Sequence, residues 1–316
     1  MNDDSADADS QAHESGSIPG LPTVAPFRAW EARPSAIPVL ISVPHAGRAY
    51  PPSLLRNMRQ PDRSVLKLED RYVDRLAKEV ARRSGAALLV AQAPRAMIDL
   101  NRAPEDIDWE MFVRGQAASR DDAVPSLRAR SGLGLIPRRL PGIGELWRSR
   151  LDEQDLIARL DRIHEPYHAK LAAMVAALRD RWGAALLIDM HSMPPLPAET
   201  SRPAAEFVIG DRFGATCHGS LVGAAFMYLA AAGRVAAHNR PYAGGYVLER
   251  HAKPARGIHA LQLEIDRSSY LDARLAEAGA GFDDVIALLT DLVRRLAGCV
   301  AELAPSDRGE WPLAAE

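Results

Sequence analysis

Cysteine is nearly absent from this 316-residue chain; Cys217 and Cys299 are the only two. They are too few for a disulfide framework and too far apart for a C-x-x-C metal clip. The expectation is two free thiols in a reducing compartment. Long apolar runs are also missing. None approaches the roughly 18–20 residues that span a bilayer, so no membrane segment is expected. The N-terminus has no basic stretch followed by an apolar one, which argues against a secretory leader and for a cytoplasmic protein. There is no surplus of basic charge either. The formal net charge is −2, which gives no electrostatic reason to expect nucleic acid or an acidic membrane surface as partner. What is present is ordinary for a soluble globular chain: 47% hydrophobic and 25% charged residues, at a length that can bury a substantial core.

Residues 1–25 are acidic, without Lys until well beyond them, and poor in large apolar side chains. Such a segment cannot offset its ordering entropy by burial, so a disordered tail is expected there. A single domain is expected over 26–303, followed by a short tail, 304–316. Short apolar runs read as buried strands at 37–43, 86–91, 96–100, 184–190, 206–210 and 259–265. Between them lie stretches with apolar residues at three- and four-residue steps: 64–83, 150–182, and a last one that closes the chain. Strands alternating with helices predict an α/β fold, a three-layer sandwich with a mixed, mostly parallel sheet flanked by helices. In such sheets, sites gather at the carboxyl ends of strands.

That rule selects residues. The first strand runs into "SVPHAGRAYP", placing His45 just past its end. The strand at 184–190 runs into "IDMHSMPP", placing His191 just past its end. In "HALQLEIDR" the alternation puts Leu261, Leu263 and Ile265 on one face and Gln262, Glu264 and Asp266 on the other. A carboxylate such as Glu264 inside an apolar strand is expensive unless paired; the alternative is an edge strand with a solvated face. "PRAMIDLNRAPED" clusters Arg95, Asp99, Asn101 and Arg102 at and just after a strand. A guanidinium with an amide side chain suits recognition of a carboxylate. "LKLEDRYVDRL" starts a helix with Glu69 and Asp70, the carboxylates nearest in sequence to His45. Two histidines and a carboxylate with a fourth position open form a standard catalytic zinc set.

One stretch points elsewhere. "HEPYH", residues 164–168, matches the H-E-x-x-H zinc signature of a large metalloprotease class. That reading needs His164 and His168 on one unbroken helical face. Pro166 removes a hydrogen bond and clashes with the preceding turn, and it disfavours helical geometry at Glu165. The expectation is one helix ending near His164 and another starting at Pro166, with no metal site between them.

Taken together, "SVPHAGRAYP", "LEDRYVDRL", "MIDLNRAPED", "GLGLIPRRLPG", "LIDMHSMP" and "NRPYAGGYVLERHAKPARGIHALQLEIDRSSYLD" resemble the N-formylglutamate amidohydrolase family, in the family's order and over roughly residues 37–303. The resemblance implies a fold similar to zinc carboxypeptidases and aspartoacylase-type deacylases. It implies hydrolysis of N-formyl-L-glutamate to formate and L-glutamate, a step of histidine catabolism, with one Zn²⁺ or another divalent ion as cofactor. His45 and His191 look like metal ligands. Zinc carboxypeptidases usually take a Glu three residues after the first His; Arg48 stands there, so Asp70 is the matching carboxylate and Glu69 the fallback. Glu264 matches the general base and Arg95 the residue that steadies the carbonyl oxygen. Asn101 and Arg102 match the binders of the substrate carboxylate. Tyr242, Gly244 and Gly245, in "PYAGGY", look like part of a substrate-covering loop. The partner implied is a small molecule bearing a carboxylate, and the oligomeric state is open. Other readings are a deacylase for another N-acyl amino acid or small peptide, and a catalytically silent metal-binding relative. The Gly/Pro/Arg-rich excursion at 112–146 is a candidate cover for the site.

Overall fold

The computed structural model describes residues 16–113, 127–198 and 203–304. The terminal tails expected before residue 16 and after 304 lie outside these. Over 16–25 the expected disorder is not found. Ile18 is fully buried in the core, and its backbone bonds to Leu21 and Val24 turn the chain back on itself. The small polar residues that mislead here lie between two buried residues, Ile18 and Ala25.

A seven-stranded sheet organises the chain. Its strands are β1 (Phe27–Trp30), β2 (Val39–Val43), β3 (Ala87–Ala91), β6 (Ala185–Met193), β7 (Phe207–Gly210), β8 (Ala236–His238) and β9 (Ile258–Asp266), in the order β1-β3-β2-β6-β9-β7-β8. A separate two-stranded ribbon joins β4 (Arg139–Leu140) to β5 (Gly144–Glu145). The β3-β2-β6-β9 centre is parallel, and β1 and β7 enter antiparallel. The mixed, mostly parallel sheet is therefore as expected. β1 and β8 were not expected; they are short edge strands with weak alternation.

Helices cover both faces. α1 (Pro52–Asn57), α2 (Pro61–Leu68) and α3 (Val73–Ser84) precede β3; α4 (Leu127–Arg130) and α5 (Glu153–Arg159) follow it. Then come α6 (Glu165–Trp182), α7 (Gly219–Ala231), α8 (Tyr246–His251) and α9 (Phe282–Leu303). Tyr167, Leu171, Met174 and Leu178 of α6 pack on Leu40, Leu187 and Ala260 of the sheet. On the other face, residues of α3, α7 and α9, among them Leu76, Leu221 and Leu289, pack on Ile41, Ile188 and Leu263. This is a three-layer sandwich whose central strands are buried on both sides, as parallel sheets require. Among the described residues no helix is long and apolar enough to cross a membrane. Both cysteines are free, Cys217 within the core and Cys299 partly exposed.

Four local expectations are corrected. The run 96–100 is not a strand. It is a buried turn, tied by the Asp99 N–H to the Leu135 carbonyl and the Met97 N–H to the Pro94 carbonyl. Periodicity alone cannot separate a buried loop of five apolar-rich residues from a strand. The stretch 64–83 is two helices. α2 ends at Leu68, Glu69 turns extended, Tyr72 is left-handed (φ 59°), and α3 begins at Val73. Third, His191 lies inside β6, not beyond it, because β6 stays paired with β9 as far as Met193–Asp266. That pairing also makes β9 an interior strand, so Glu264 has no solvated sheet face.

The fourth concerns "HEPYH". α5 passes into α6 through a π-helical turn, Leu160–His164, and the backbone never leaves right-handed helical geometry; Glu165 itself has φ −62°, ψ −45°. The Glu165 N–H bonds to the Leu160 carbonyl, five residues back. The wider turn absorbs a proline whose N–H is missing and whose ring crowds the preceding turn. The helix therefore bulges where a break was expected. His164 and His168 do share a face, with ring centroids 4.5 Å apart.

Candidate active site

The strands place the site by a change of residue type along one face. On the face covered by α6, β6 presents Ala185 and Leu187, then Asp189 and His191. β9 presents Ile258 and Ala260, then Gln262 and Glu264. Register sets Ser42 beside Asp189, Asp189 beside Gln262, and His191 beside Glu264. The apolar core thus gives way to a polar floor at the carboxyl ends of the three central parallel strands. His45 follows β2 directly. Asp70 comes from the break between α2 and α3, where its N–H bonds to the His45 carbonyl at 3.0 Å. The break is what allows a carboxylate from this segment to reach the floor.

His45, Asp70 and His191 each offer a ligand atom within 4.8 Å of the others, and all three are buried. Asp70 Oδ2 lies 3.5 Å from His45 Nδ1 and 3.0 Å from His191 Nδ1. The far nitrogens face carboxylates: His45 Nε2 is 2.7 Å from Asp99 Oδ1, and His191 Nε2 is 2.8 Å from Asp189 Oδ2. Asp189 is itself held by the Ser42 hydroxyl. Two nitrogens and an oxygen converging, with each imidazole's other N–H fixed by a carboxylate, is the donor chemistry of a zinc site. Such an ion would be held by His45, Asp70 and His191. The fallback ligand is elsewhere: the Glu69 side chain pairs with Arg71 at 3.2 Å. Arg48, standing where a third ligand is found in carboxypeptidases, pairs with Asp74 at 2.7 Å.

The local field favours positive charge between these groups. Burial alone would raise Asp70, but hydrogen bonds from His191 and His45 outweigh it and hold the carboxyl well below its usual range. Burial would lower His191, yet Asp189 beside it drives the imidazole well above its usual range. Asp99 is likewise held low against its own burial, by the charges of Arg95 and His45. Asp189 and Asp99 were not singled out as partners of the histidines. Asp189 sits two residues before His191 on the same strand face, and that spacing was the available signal. The Asp189→Asn variant should weaken metal binding by about 10–100-fold, the usual effect of losing a carboxylate behind a ligand. A competition titration with a chromogenic chelator measures it; unchanged affinity would show that Asp189 does not orient His191.

Glu264 faces the same space. Burial, more than any neighbour, pushes its carboxyl up to about 7. A hydrogen-bond chain sets its orientation. Val247 N–H donates to Asn101 Oδ1 (2.9 Å), Asn101 Nδ2 to Gln262 Oε1 (3.3 Å), and Gln262 Nε2 to Glu264 Oε1 (2.9 Å). The Asn101 amide is therefore engaged by the protein itself. Arg95 is fixed by its Nε, which donates to Asp99 Oδ2 at 2.9 Å. Arg102 donates from Nε to the Leu133 carbonyl and from Nη1 to its neighbour's carbonyl at Asn101, each at 2.9 Å. Arg267, absent from the expected set, donates to Ser192 Oγ at 3.0 Å and to the Glu69 carbonyl, and approaches Asp70 Oδ1 at 3.4 Å. It clamps the very break that presents Asp70.

These groups line one cavity of about 270 Å³, which also takes in Tyr242, Gly244, Gly245, Arg128 and Leu133. The 241–246 loop forms part of its wall. Gly245 lies against the Asn101 side chain so closely that a Cβ there would come within 2.4 Å of Asn101 Oδ1, and a Cβ on Gly244 (φ 109°) would meet Leu248 at 2.6 Å. Both positions need glycine for close approach. The described part of the 112–146 excursion contributes Arg128, Leu133 and Leu140 to the lining; 114–126 lies outside the described residues. "HEPYH" contributes nothing to the metal group. Its Glu165 pairs with Arg250 at 3.1 Å on the surface, and both histidines bond elsewhere.

The sequence model of N-formylglutamate amidohydrolase matches residues 37–271. The chain belongs to the N-formylglutamate amidohydrolase family. It is 28% identical over 240 residues to the N-formylglutamate deformylase of Pseudomonas aeruginosa, covering 75% of this chain and 83% of that one. Against the N-formylglutamate deformylase of Pseudomonas putida the identity is 30% over 240 residues, covering 75% and 82%. The crystal structure of N-formylglutamate amidohydrolase from Ralstonia eutropha JMP134 superposes with a TM-score of 0.79 at 32% identity, covering 88% of this chain and 99% of that one. An Agrobacterium tumefaciens gene product shares the fold alone, with a TM-score of 0.61 at 17% identity, covering 88% and 95%.

Proposed function

We propose that this protein is a zinc-dependent hydrolase that converts N-formyl-L-glutamate to formate and L-glutamate, acting on a small metabolite of histidine degradation in the cytoplasm. One observation carries the reading. A His-Asp-His donor group and a buried glutamate face each other in a small cavity that also holds several cations. His45, Asp70 and His191 would hold the ion. When bound, a zinc ion polarises an amide carbonyl and makes water more acidic.

The remaining steps belong to side chains. Glu264 accepts a proton from the attacking water as its oxygen bonds to the formyl carbon. It then delivers that proton to the amide nitrogen as the C–N bond breaks, releasing formate and the free amine. A carboxyl pushed up to about 7 by burial suits both halves of this task. Arg95, pinned by Asp99, donates to the oxygen that gains charge. Tyr242 and the Gly244–Gly245 backbone cover the substrate and keep bulk water out. A substrate with two carboxylates needs more than one cation. Arg102, Arg128 and Lys67 line the cavity beyond Arg95 and Arg267, which are already tied to Asp99 and Asp70. Arg102 takes one carboxylate, while Asn101, its amide engaged by Val247 and Gln262, holds the segment that carries Arg102; orientation by such a fork lowers the entropic part of the barrier.

The test is product release. Purified protein loaded with zinc should release formate from N-formyl-L-glutamate far faster than acetate or succinate from the matching N-acyl glutamates. Faster release of acetate or succinate would make it a deacylase of a different kind. No release from any of the three, with metal bound, would make it a binding protein.

A further inference from the structure

The "HEPYH" histidines are left without a role by the metal group, yet their placement is specific. His164 and His168 are both fully buried. His164 Nε2 lies 3.0 Å from the Arg102 carbonyl, and His168 Nε2 lies 3.0 Å from the Leu100 carbonyl. Those two carbonyls flank Asn101. A carbonyl oxygen only accepts, so each imidazole must carry its proton on Nε2. His168 Nδ1 is then an acceptor, and it lies 2.9 Å from His251 Nε2, which must donate. The tautomers of all three rings follow from the carbonyls at one end of the chain.

We propose that His164 and His168 are positioning residues, which grip the carbonyls on either side of Asn101 and hold the Asn101–Arg102 segment in the conformation that presents Arg102 to the substrate carboxylate. The proposal rests on the reading of Arg102 as a carboxylate binder. Three features support it. Burial lowers His164 and His168 below the usual imidazole range, so each is neutral near pH 7 with a single N–H, and each directs that N–H at the loop. His164 Nδ1 has no hydrogen-bond partner among the described residues. A buried unpaired acceptor is unfavourable, and an apolar ring would avoid it; the Nε2 bond is what an imidazole adds there. Finally, the π turn at Leu160–His164 ends on His164 itself. It keeps both rings on one helical face despite Pro166, so that one helix reaches two carbonyls two residues apart. The same rings touch the covering loop. Tyr246 lies 5.8 Å from His164 and 5.2 Å from His168 between centroids, and Arg250 of α8 pairs with Glu165. α6 thus joins the carboxylate-binding segment to the wall that closes over it.

The test uses full-length, zinc-loaded protein with His164→Phe, which keeps a ring and loses the donor, and His164→Gln, which keeps an N–H near the position of Nε2. Formate release is measured from N-formyl-L-glutamate and from its two monoamides. With His164→Phe, KM for N-formyl-L-glutamate should rise about tenfold, the scale of one lost hydrogen bond. kcat should change less, zinc content should stay at the parent value, and discrimination against the monoamide most disfavoured by the parent should shrink. His164→Gln should restore most of KM and of that discrimination. An unchanged KM for His164→Phe, or a loss confined to kcat or zinc content, would overturn the proposal, as would failure of a folded His164→Gln to restore KM. If His164→Phe does not fold, His168→Phe is measured in the same way, with the same KM rise expected and the same results contradicting it. Arg102→Lys runs in parallel. If it leaves discrimination intact, the reading of Arg102 fails, while the KM values of the histidine variants still decide whether the clamp sets substrate binding.

Discussion

The Glu264→Gln variant should bind zinc as the parent does and turn over N-formyl-L-glutamate about 10²–10⁴-fold more slowly, the range for losing a general acid–base group. Glutamine keeps the shape of the side chain and an oxygen that can still accept from Gln262 Nε2, so the hydrogen-bond chain from Val247 through Asn101 survives. What disappears is the proton acceptor. The reason to expect so large an effect is the lack of a substitute. The other carboxylates near the cavity floor are committed: Asp70 to both histidines, Asp99 to His45 and Arg95, and Asp189 to His191 and Ser42. The loss should fall on kcat more than on KM, because Glu264 acts on the water and the leaving nitrogen. Single-turnover formate release and metal analysis on the same preparation measure both sides. Near-parental turnover would remove Glu264 from its role.

His191→Ala should have the second large effect, and a different one. It takes away one of three donors and leaves Asp70 and Asp189, both fully buried or nearly so, facing each other's side of the gap without an imidazole between them. Metal should be lost, and turnover with it, to a level at or below that of Glu264→Gln. Uncompensated buried carboxylates also destabilise by several kcal/mol when a partner is removed, on the order of 3–5 kcal/mol for a broken buried pair. Melting is therefore followed beside metal content. His191→Asn, which restores a polar group at lower volume, separates loss of metal from loss of fold. Full zinc occupancy in a folded His191 variant would take His191 out of the ligand set.

How much of this was legible in the sequence depends on the kind of residue. The strands that carry His191 and Glu264, and the one that leads into His45, announce themselves as Val-, Ile- and Leu-rich runs, because parallel strands buried on both faces must be apolar along their length. A histidine or glutamate interrupting such a run is therefore conspicuous, and all three converge. Asp70 was harder. Nothing in "LKLEDRYVDRL" marks a helix break; there is no glycine or proline, and Tyr72 adopts φ 59° without either. The break is imposed from outside, by the Asp70 N–H on the His45 carbonyl and by Arg267 on the Glu69 carbonyl, which are contacts about 25 and 200 residues apart in sequence. Arg267 and Asp99 were illegible as supports for the same reason. "HEPYH" failed in the opposite sense. Local rules predicted a break at Pro166, and a π turn provided a third solution, neither helix end nor regular helix. What His164 and His168 do instead is bond through Nε2 to the carbonyls of Arg102 and Leu100, away from His45, Asp70 and His191.

On the proposed function, one ion held by His45, Asp70 and His191 would serve the hydrolysis of N-formyl-L-glutamate. The most direct measurement is a zinc titration of metal-stripped protein with formate release from N-formyl-L-glutamate recorded at each addition. Release should rise from near zero in proportion to added zinc and break at one ion per chain, with the His191→Ala protein staying flat throughout. Full release from stripped protein, or a His191→Ala protein that responds like the parent, would contradict the account.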